Sequence, residues 1–140
     1  MTIAYADIEP GTAIGQRTYR ITRLDLVKYC GASGDFNVIH WNERVARSVG
    51  LPNVIAHGMY TMAQAGKFVT EWVGDPGAVT DFGVRFSAMV PVPDDDEGAT
   101  LEVSGKVLEK LADNKVTVDI VVKAGGAKVL TRARATVRLP

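Results

Sequence analysis

A chain of 140 residues has the size of one domain and can bury a core without disulfides or metals. Hydrophobic residues make up 46% and charged residues 23%, and 16 basic against 16 acidic residues leave no basic excess for a general nucleic-acid binder. The single cysteine, Cys30, excludes an intrachain disulfide, and the opening MTIAYADIEPG carries Asp7 and Glu9 with no apolar signal segment, so a cytoplasmic protein without a membrane span, one domain over 1–140, is expected.

Residues 1–16 read as an entry segment with a turn at Glu9-Pro10-Gly11. Arg17 to Ile21 has the pattern of a short strand. Thr22, with Asp25 three positions on, has the form of an N-cap for an amphipathic helix carrying Leu24, Leu26, Val27, Tyr29 and Cys30 and ending at Gly31. Ala32 to Trp41 shows neither period. Asn42 is placed to cap a second short helix, Glu43 to Val49, stopped by Gly50.

From Gly58 to Val73 the pattern is strongly helical. Met59, Met62, Ala63, Gly66, Val69 and Val73 share one face, which Ala65, Phe68 and Trp72 widen. Only Gln64, Lys67 and Glu71 form a polar stripe, so this helix is predicted to be buried on most sides. Gly74-Asp75-Pro76-Gly77 ends it. The remainder reads as strands. A long one over Val79 to Val90 has a bend or bulge at Gly83, and Asp94 to Gly98 is predicted as an acidic hairpin tip. Three alternating runs follow, around Leu101 to Val107, Val116 to Val122 and Val129 to Val137, with turns at Ala112-Asp113-Asn114 and Gly125-Gly126. Arg132, Arg134 and Arg138 occupy the solvent face of the last. A helix of this length spans roughly 24 Å, about the width of five strands at roughly 4.8 Å each. An α+β architecture is expected, with one antiparallel sheet curled around one long helix.

The residues suited to chemistry gather between Tyr29 and Met59, which holds both histidines. Asp35 and His40 lie in a loop whose Gly34 and Asn37 permit it to fold back on itself. A carboxylate and an imidazole that converge on one water form an acid–base pair for adding or removing water. The same residues have a plainer reading, with Asp35 as a backbone cap and His40 as a satisfied loop histidine. Gly58, at the head of the long helix, offers an unpaired backbone N–H and no side chain, which suits an oxygen that becomes negative in a transition state. Alternatively it merely allows the helix close entry into the sheet. His57 is placed to satisfy neighbouring backbone groups. Other chemistries lack their residues. There is no G-x-S-x-G elbow, no phosphate-cradling G-x-x-x-x-G-K-[ST], and no zinc-ligand spacing among Cys30, His40 and His57.

The run Tyr29-Cys30-Gly31-Ala32-Ser33-Gly34-Asp35-Phe36-Asn37-Val38-Ile39-His40-Trp41-Asn42 resembles the signature of the MaoC-like (R)-specific enoyl-thioester hydratases and dehydratases. Ala56-His57-Gly58-Met59 and Val84-Arg85-Phe86 also look like this family. Trp72 to Thr80 and Pro91-Val92-Pro93 resemble the catalytic beta-type subunit of the actinobacterial (3R)-hydroxyacyl-carrier-protein dehydratases. The resemblance implies a hotdog fold, paired as a homodimer or with a related MaoC-like subunit. It implies that Asp35 and His40 hold a catalytic water and that the Gly58 N–H polarises a thioester carbonyl. Asn37, His57 and Met59 would shape the loop or meet substrate. The substrate would be an acyl-carrier-protein or coenzyme A thioester, with no cofactor and no metal. The acyl pocket is expected between the central helix and the segment Asn42 to Ile55. Val38 stands where the family usually has proline, which leaves an N–H and a freer φ in the loop. A coenzyme A hydratase, a thioesterase and a non-catalytic acyl-binding subunit are the rival readings.

Overall fold

The computed structural model describes residues 3–140; Met1 and Thr2, at the start of the entry segment, lie outside it. Five strands form one antiparallel sheet: β1 (Ala13–Ile21), β2 (Val79–Phe86), β3 (Ala99–Leu111), β4 (Lys115–Ala124) and β5 (Ala127–Arg138). Their order across the sheet is β1-β3-β4-β5-β2. Three helices precede β2: α1 (Arg23–Ser33), α2 (Glu43–Ser48) and α3 (Gly58–Val73). The sheet curls around α3, which is the hotdog arrangement expected from the sequence.

Local chemistry sets most of the boundaries. The Thr22 hydroxyl accepts the Asp25 N–H and the Asp25 carboxylate accepts the Thr22 N–H, a reciprocal capping box that starts α1. The helix does not stop at Gly31 as predicted. A glycine inside a helix weakens it without breaking it, and the turn that ends α1 falls at Gly34, whose φ of 76° is left-handed. Only Leu26 and Cys30 of α1 are buried, while Leu24 and Val27 are 59% and 55% exposed, so the apolar face is narrower than the pattern suggests. The Asn42 side chain accepts the Val45 N–H and caps α2, which ends one residue before its predicted limit.

The long helix keeps its predicted bounds, and its inward face is Thr61, Ala65, Phe68, Val69 and Val73. Met59 and Ala63, expected on the buried side, face outward instead. The buried stripe is therefore rotated from the predicted one; on the second apolar side of α3 Gly66 lies under the Phe82 ring, while Met59 and Ala63 are left exposed.

Four sheet features depart from simple alternation. β1 begins at Ala13 rather than Arg17, because Ala13 to Gln16 find partners on β3 across an irregularity next to Gly15. β2 ends at Phe86, so Ser87 to Val90 leave the sheet as irregular chain; its register shift falls between Gly83 and Arg85, where a bulge is predicted. The acidic run 94–98 is not a hairpin tip. β2 pairs with β5 and β3 pairs with β1 and β4, so this turn carries the chain across to a different part of the sheet. There the Asp95 carboxylate accepts the N–H groups of Glu97 and Gly98, and a Cβ on Gly98 would collide with the Ile21 carbonyl. Finally, β5 carries a bulge around Arg132, whose φ is 46°. Ile120 faces Ala133 but Val122 faces Leu130, so two steps along β4 match three along β5. The bulge breaks the alternation and turns Leu130 inward next to the buried Val129.

Val103, Val107, Val116, Val118 and Val122 are nearly or wholly inaccessible and pack in one core with Phe68 and Val69 of α3. Each such side chain contributes about 1.5–3 kcal/mol by leaving water.

Candidate active site

The loop after α1 is folded by its own polar side chains. The Asp35 carboxylate accepts the Asn37 N–H at 3.2 Å and the Asn37 side chain accepts the Ile39 N–H at 3.3 Å. Asn37 thereby caps a one-turn 3-10 helix, Val38–His40, and this turn forms with valine in the place where the resembled family has proline.

The turn delivers His40 into the protein at 7% exposure. Its Nδ1 lies 2.7 Å from the Ile55 carbonyl oxygen. A carbonyl only accepts, so Nδ1 carries the hydrogen, and in the neutral ring Nε2 holds the lone pair. That Nε2 faces Asp35 Oδ2 at 3.9 Å. The distance is too long for a direct hydrogen bond. Two hydrogen bonds of about 2.8 Å meeting near 90° at one oxygen hold their outer atoms about 4 Å apart, so the pair is spaced to grip one water or hydroxyl between them.

Ile55 is the anchor that sequence reasoning missed. It sits in the segment 54–56, which is fixed on both sides. Its N–H donates to the Ile39 carbonyl at 3.2 Å, while Ala56 N–H donates to Val90 and Val92 N–H donates to Val54, each at 2.9 Å. No local signal marks a backbone carbonyl fifteen residues from the histidine it orients.

His57 is the N-cap residue of α3 and makes no side-chain capping bond. Its ring is 1% exposed and stacks on that of His40 with centroids 3.7 Å apart and 21° between planes. Burial pushes the His57 pKa below the ordinary histidine value, against the raising effect of the Asp35 carbonyl and carboxylate. The unfolded chain then takes up this proton before the folded one does. Stability is therefore fully present above about pH 6.5 and declines as pH falls below it. Urea midpoints measured from pH 7.5 to pH 5 are expected to fall in this way, and the His57 share of the slope is expected to vanish in His57→Phe.

Gly58 follows as the first helical residue, where backbone N–H groups have no partner within the helix. A Cβ there would come within 3.0 Å of the Phe86 ring, so the glycine keeps the helix start open under an aromatic side chain. Gly58 and His40 line a cavity of about 530 Å³ together with Ile55, Thr61, Phe86, Met89 and Leu130 among others. The cavity thus lies between the head of α3 and the irregular segment after β2, and not along Asn42 to Ile55, of which only Ile55 reaches it. The apolar run Phe86 to Val90 that continues past the strand is the signal that could have located it. Leu130 reaches it only through the β5 bulge. Met59 is 57% exposed and is not part of the wall.

Asp35, His40 and His57 also place one donor atom each within 4.8 Å of one another, a set able to hold a metal ion. His57 Nε2 is turned to the Asp35 carbonyl at 3.1 Å and His40 Nδ1 to Ile55, while His40 Nε2 is the ring nitrogen that faces the Asp35 carboxylate. Cys30 is 3% exposed, and burial first, then the Asp35 charge, push its thiol pKa up. It is a packed apolar residue rather than a nucleophile. Alkylation of the native protein at neutral pH should be far slower than of the unfolded chain; equal rates would contradict this placement.

An antiparallel sheet curled about one long helix defines the hotdog class of fold. The chain belongs to the family described as MaoC like domain, whose model matches residues 6–125. A solved structure titled MaoC-like dehydratase is 41% identical, with a TM-score of 0.95, over 99% of this chain and 43% of that one. The R-hydratase PhaJ1 from Pseudomonas aeruginosa is 29% identical, with a TM-score of 0.85, over 99% of this chain and 86% of that one. The 3-hydroxyacyl-thioester dehydratase X of Mycobacterium tuberculosis is 39% identical over 74 residues, 53% of this chain and 25% of that protein. The chain spans a quarter or less of the length of the curated relatives it matches. Among the described residues no helix is long and apolar enough to cross a membrane.

Proposed function

We propose that the chain is a hydro-lyase of fatty-acid metabolism, one MaoC-like hotdog unit that removes water from a (3R)-3-hydroxyacyl thioester to give the trans-2-enoyl thioester, and that catalyses the reverse addition. The observation that carries this reading is the 3.9 Å separation of Asp35 Oδ2 and His40 Nε2, with His40 and Gly58 both lining a largely apolar cavity. The names of the similar proteins, an R-hydratase and a thioester dehydratase, support it.

The thioester carbonyl accepts from the Gly58 N–H, where the unpaired donors and the positive end of the helix dipole favour the enolate-like oxygen. That stabilisation acidifies the α-carbon. With one proton on the Asp35–His40 pair, the unprotonated member takes the α-proton while the protonated member gives its own to the departing 3-hydroxyl, so the C–O bond breaks as the C=C bond forms, water leaves and the pair again holds one proton. The two groups act as one coupled unit. The acyl chain follows the apolar wall of Phe86, Met89 and Leu130. The reaction calls for no metal or redox cofactor.

The carrier is an acyl carrier protein of type II elongation, with the coenzyme A ester as the alternative, and the site is cytoplasmic. The working unit is a hotdog dimer, a homodimer or a pair with a related MaoC-like subunit. The exposed Met59, Phe86 and Met89, at 57%, 56% and 54%, and the edge position of β2 support such pairing.

Purified protein, alone and with a candidate partner subunit, should bleach the absorbance of a trans-2-enoyl thioester offered on carrier protein and on coenzyme A in parallel. The faster arm identifies the carrier. Release of free thiol instead of hydration would indicate a thioesterase. Tight acyl binding without turnover would indicate a non-catalytic subunit. Either result overturns the proposal.

A further inference from the structure

We infer that His57 is a positioning residue, tying the loop that carries Asp35 to the ring of His40 at the head of α3. The inference rests on the acid–base role proposed for that pair. His57 touches the candidate site at three points. Its Nε2 lies 3.1 Å from the Asp35 carbonyl oxygen, its ring lies face to face on that of His40 at 3.7 Å, and its backbone immediately precedes Gly58. The Tyr29 ring meets it edge-on at 4.7 Å and Cys30 Sγ lies 3.5 Å from Nε2, so α1 closes the remaining side.

The carbonyl can only accept, so the hydrogen of His57 sits on Nε2. The Nδ1 lone pair is then buried and has no hydrogen-bond partner among the described residues. A hydrocarbon ring would fill the same slot without stranding a polar atom. What the imidazole adds is one N–H, placed where the backbone of Asp35 can receive it. The same arrangement keeps His57 uncharged. A proton on Nδ1 would find no acceptor, and its charge would lie against the His40 ring. The groups facing His57 are Tyr29 and Cys30 from α1 and Asp35 and His40 from the loop, and of these only Asp35 brings a negative charge near it. His40 is thus left as the ring free to exchange protons, with Asp35 held at bridging distance.

Three measurements test this tie. Nitrogen-15 correlation spectra of the native protein should show His57 as the Nε2–H tautomer; an Nδ1–H tautomer overturns the inference without any variant. His57→Phe should lower kcat on the order of 10- to 100-fold with KM changed by no more than about threefold. His57→Gln, which restores an N–H donor, should recover a substantial part of kcat, a rescue that filling the slot alone would not give. Wild-type kcat in a folded His57→Phe, or a His57→Gln no better than His57→Phe at equal thermal stability, overturns the tie. An inactive wild type would sink the proposed reaction, and an Nδ1–H tautomer of His57 would sink the tie, each separately.

Discussion

His40→Ala and Asp35→Asn each lower kcat for enoyl-thioester hydration by a factor on the order of 10² to 10⁴, and the double variant is little worse than either single one. The pair acts as a unit, so removing one member already removes the bridged water. The two variants separate in stability. Asp35→Asn keeps an oxygen to accept the Asn37 N–H on a side chain that is 53% exposed, so its melting temperature should stay close to wild type. His40→Ala removes the donor to the Ile55 carbonyl in a buried position, where an unmet acceptor costs about 1–3 kcal/mol. Kinetics and thermal denaturation of the same preparations give both readings. Full activity in either variant would remove that residue from the mechanism.

Gly58 permits a comparable test of the electrostatic half of the site. A backbone donor is deleted only by proline, and Gly58 is the first residue of α3, the position where helices accept proline. The preceding His57 already has φ −57° and ψ 136°, the extended conformation that a following proline demands. The obstacle is the Phe86 ring, 3.0 Å from a Cβ at Gly58, so Gly58→Pro is made together with Phe86→Ala and compared with Phe86→Ala alone. Loss of the donor should reduce kcat by about 10²- to 10³-fold with the helix content unchanged by circular dichroism. Gly58→Ala retains the N–H and displaces only a half-exposed ring, so its loss should be much smaller. Equal activity in the proline and reference variants would place the oxyanion contact elsewhere.

What could be read from the sequence was what local chemistry specifies. Thr22, Asn42 and the Gly74 stop define helix ends through hydrogen bonds and backbone angles within a few residues, and α3 keeps its predicted bounds. Asp35, Asn37 and His40 share one loop, and its signature carries the family resemblance. The features not legible were those made by distant chain. The Ile55 carbonyl that selects the His40 tautomer, the His57 ring stacked on His40, and the wall from Phe86 to Val90 come together only when segments 54–56 and 90–92 pair. The bulge at Arg132 breaks a strand's alternation, which a period of two cannot express, and it brings Leu130 to the cavity. The rotation of the buried stripe on α3 has a related cause. Hydrophobicity marks Met59 and Ala63 as apolar but does not tell which apolar side meets this chain's own sheet.

The most direct measurement is chiral resolution of the product formed when the purified protein adds water to a trans-2-enoyl thioester. The expected product is the (3R)-3-hydroxyacyl thioester alone, with the thioester bond intact and the yield dependent on both Asp35 and His40. A (3S) or racemic product, a hydrolysed thioester, or (3R) product formed equally well without those side chains would contradict the assignment of this site.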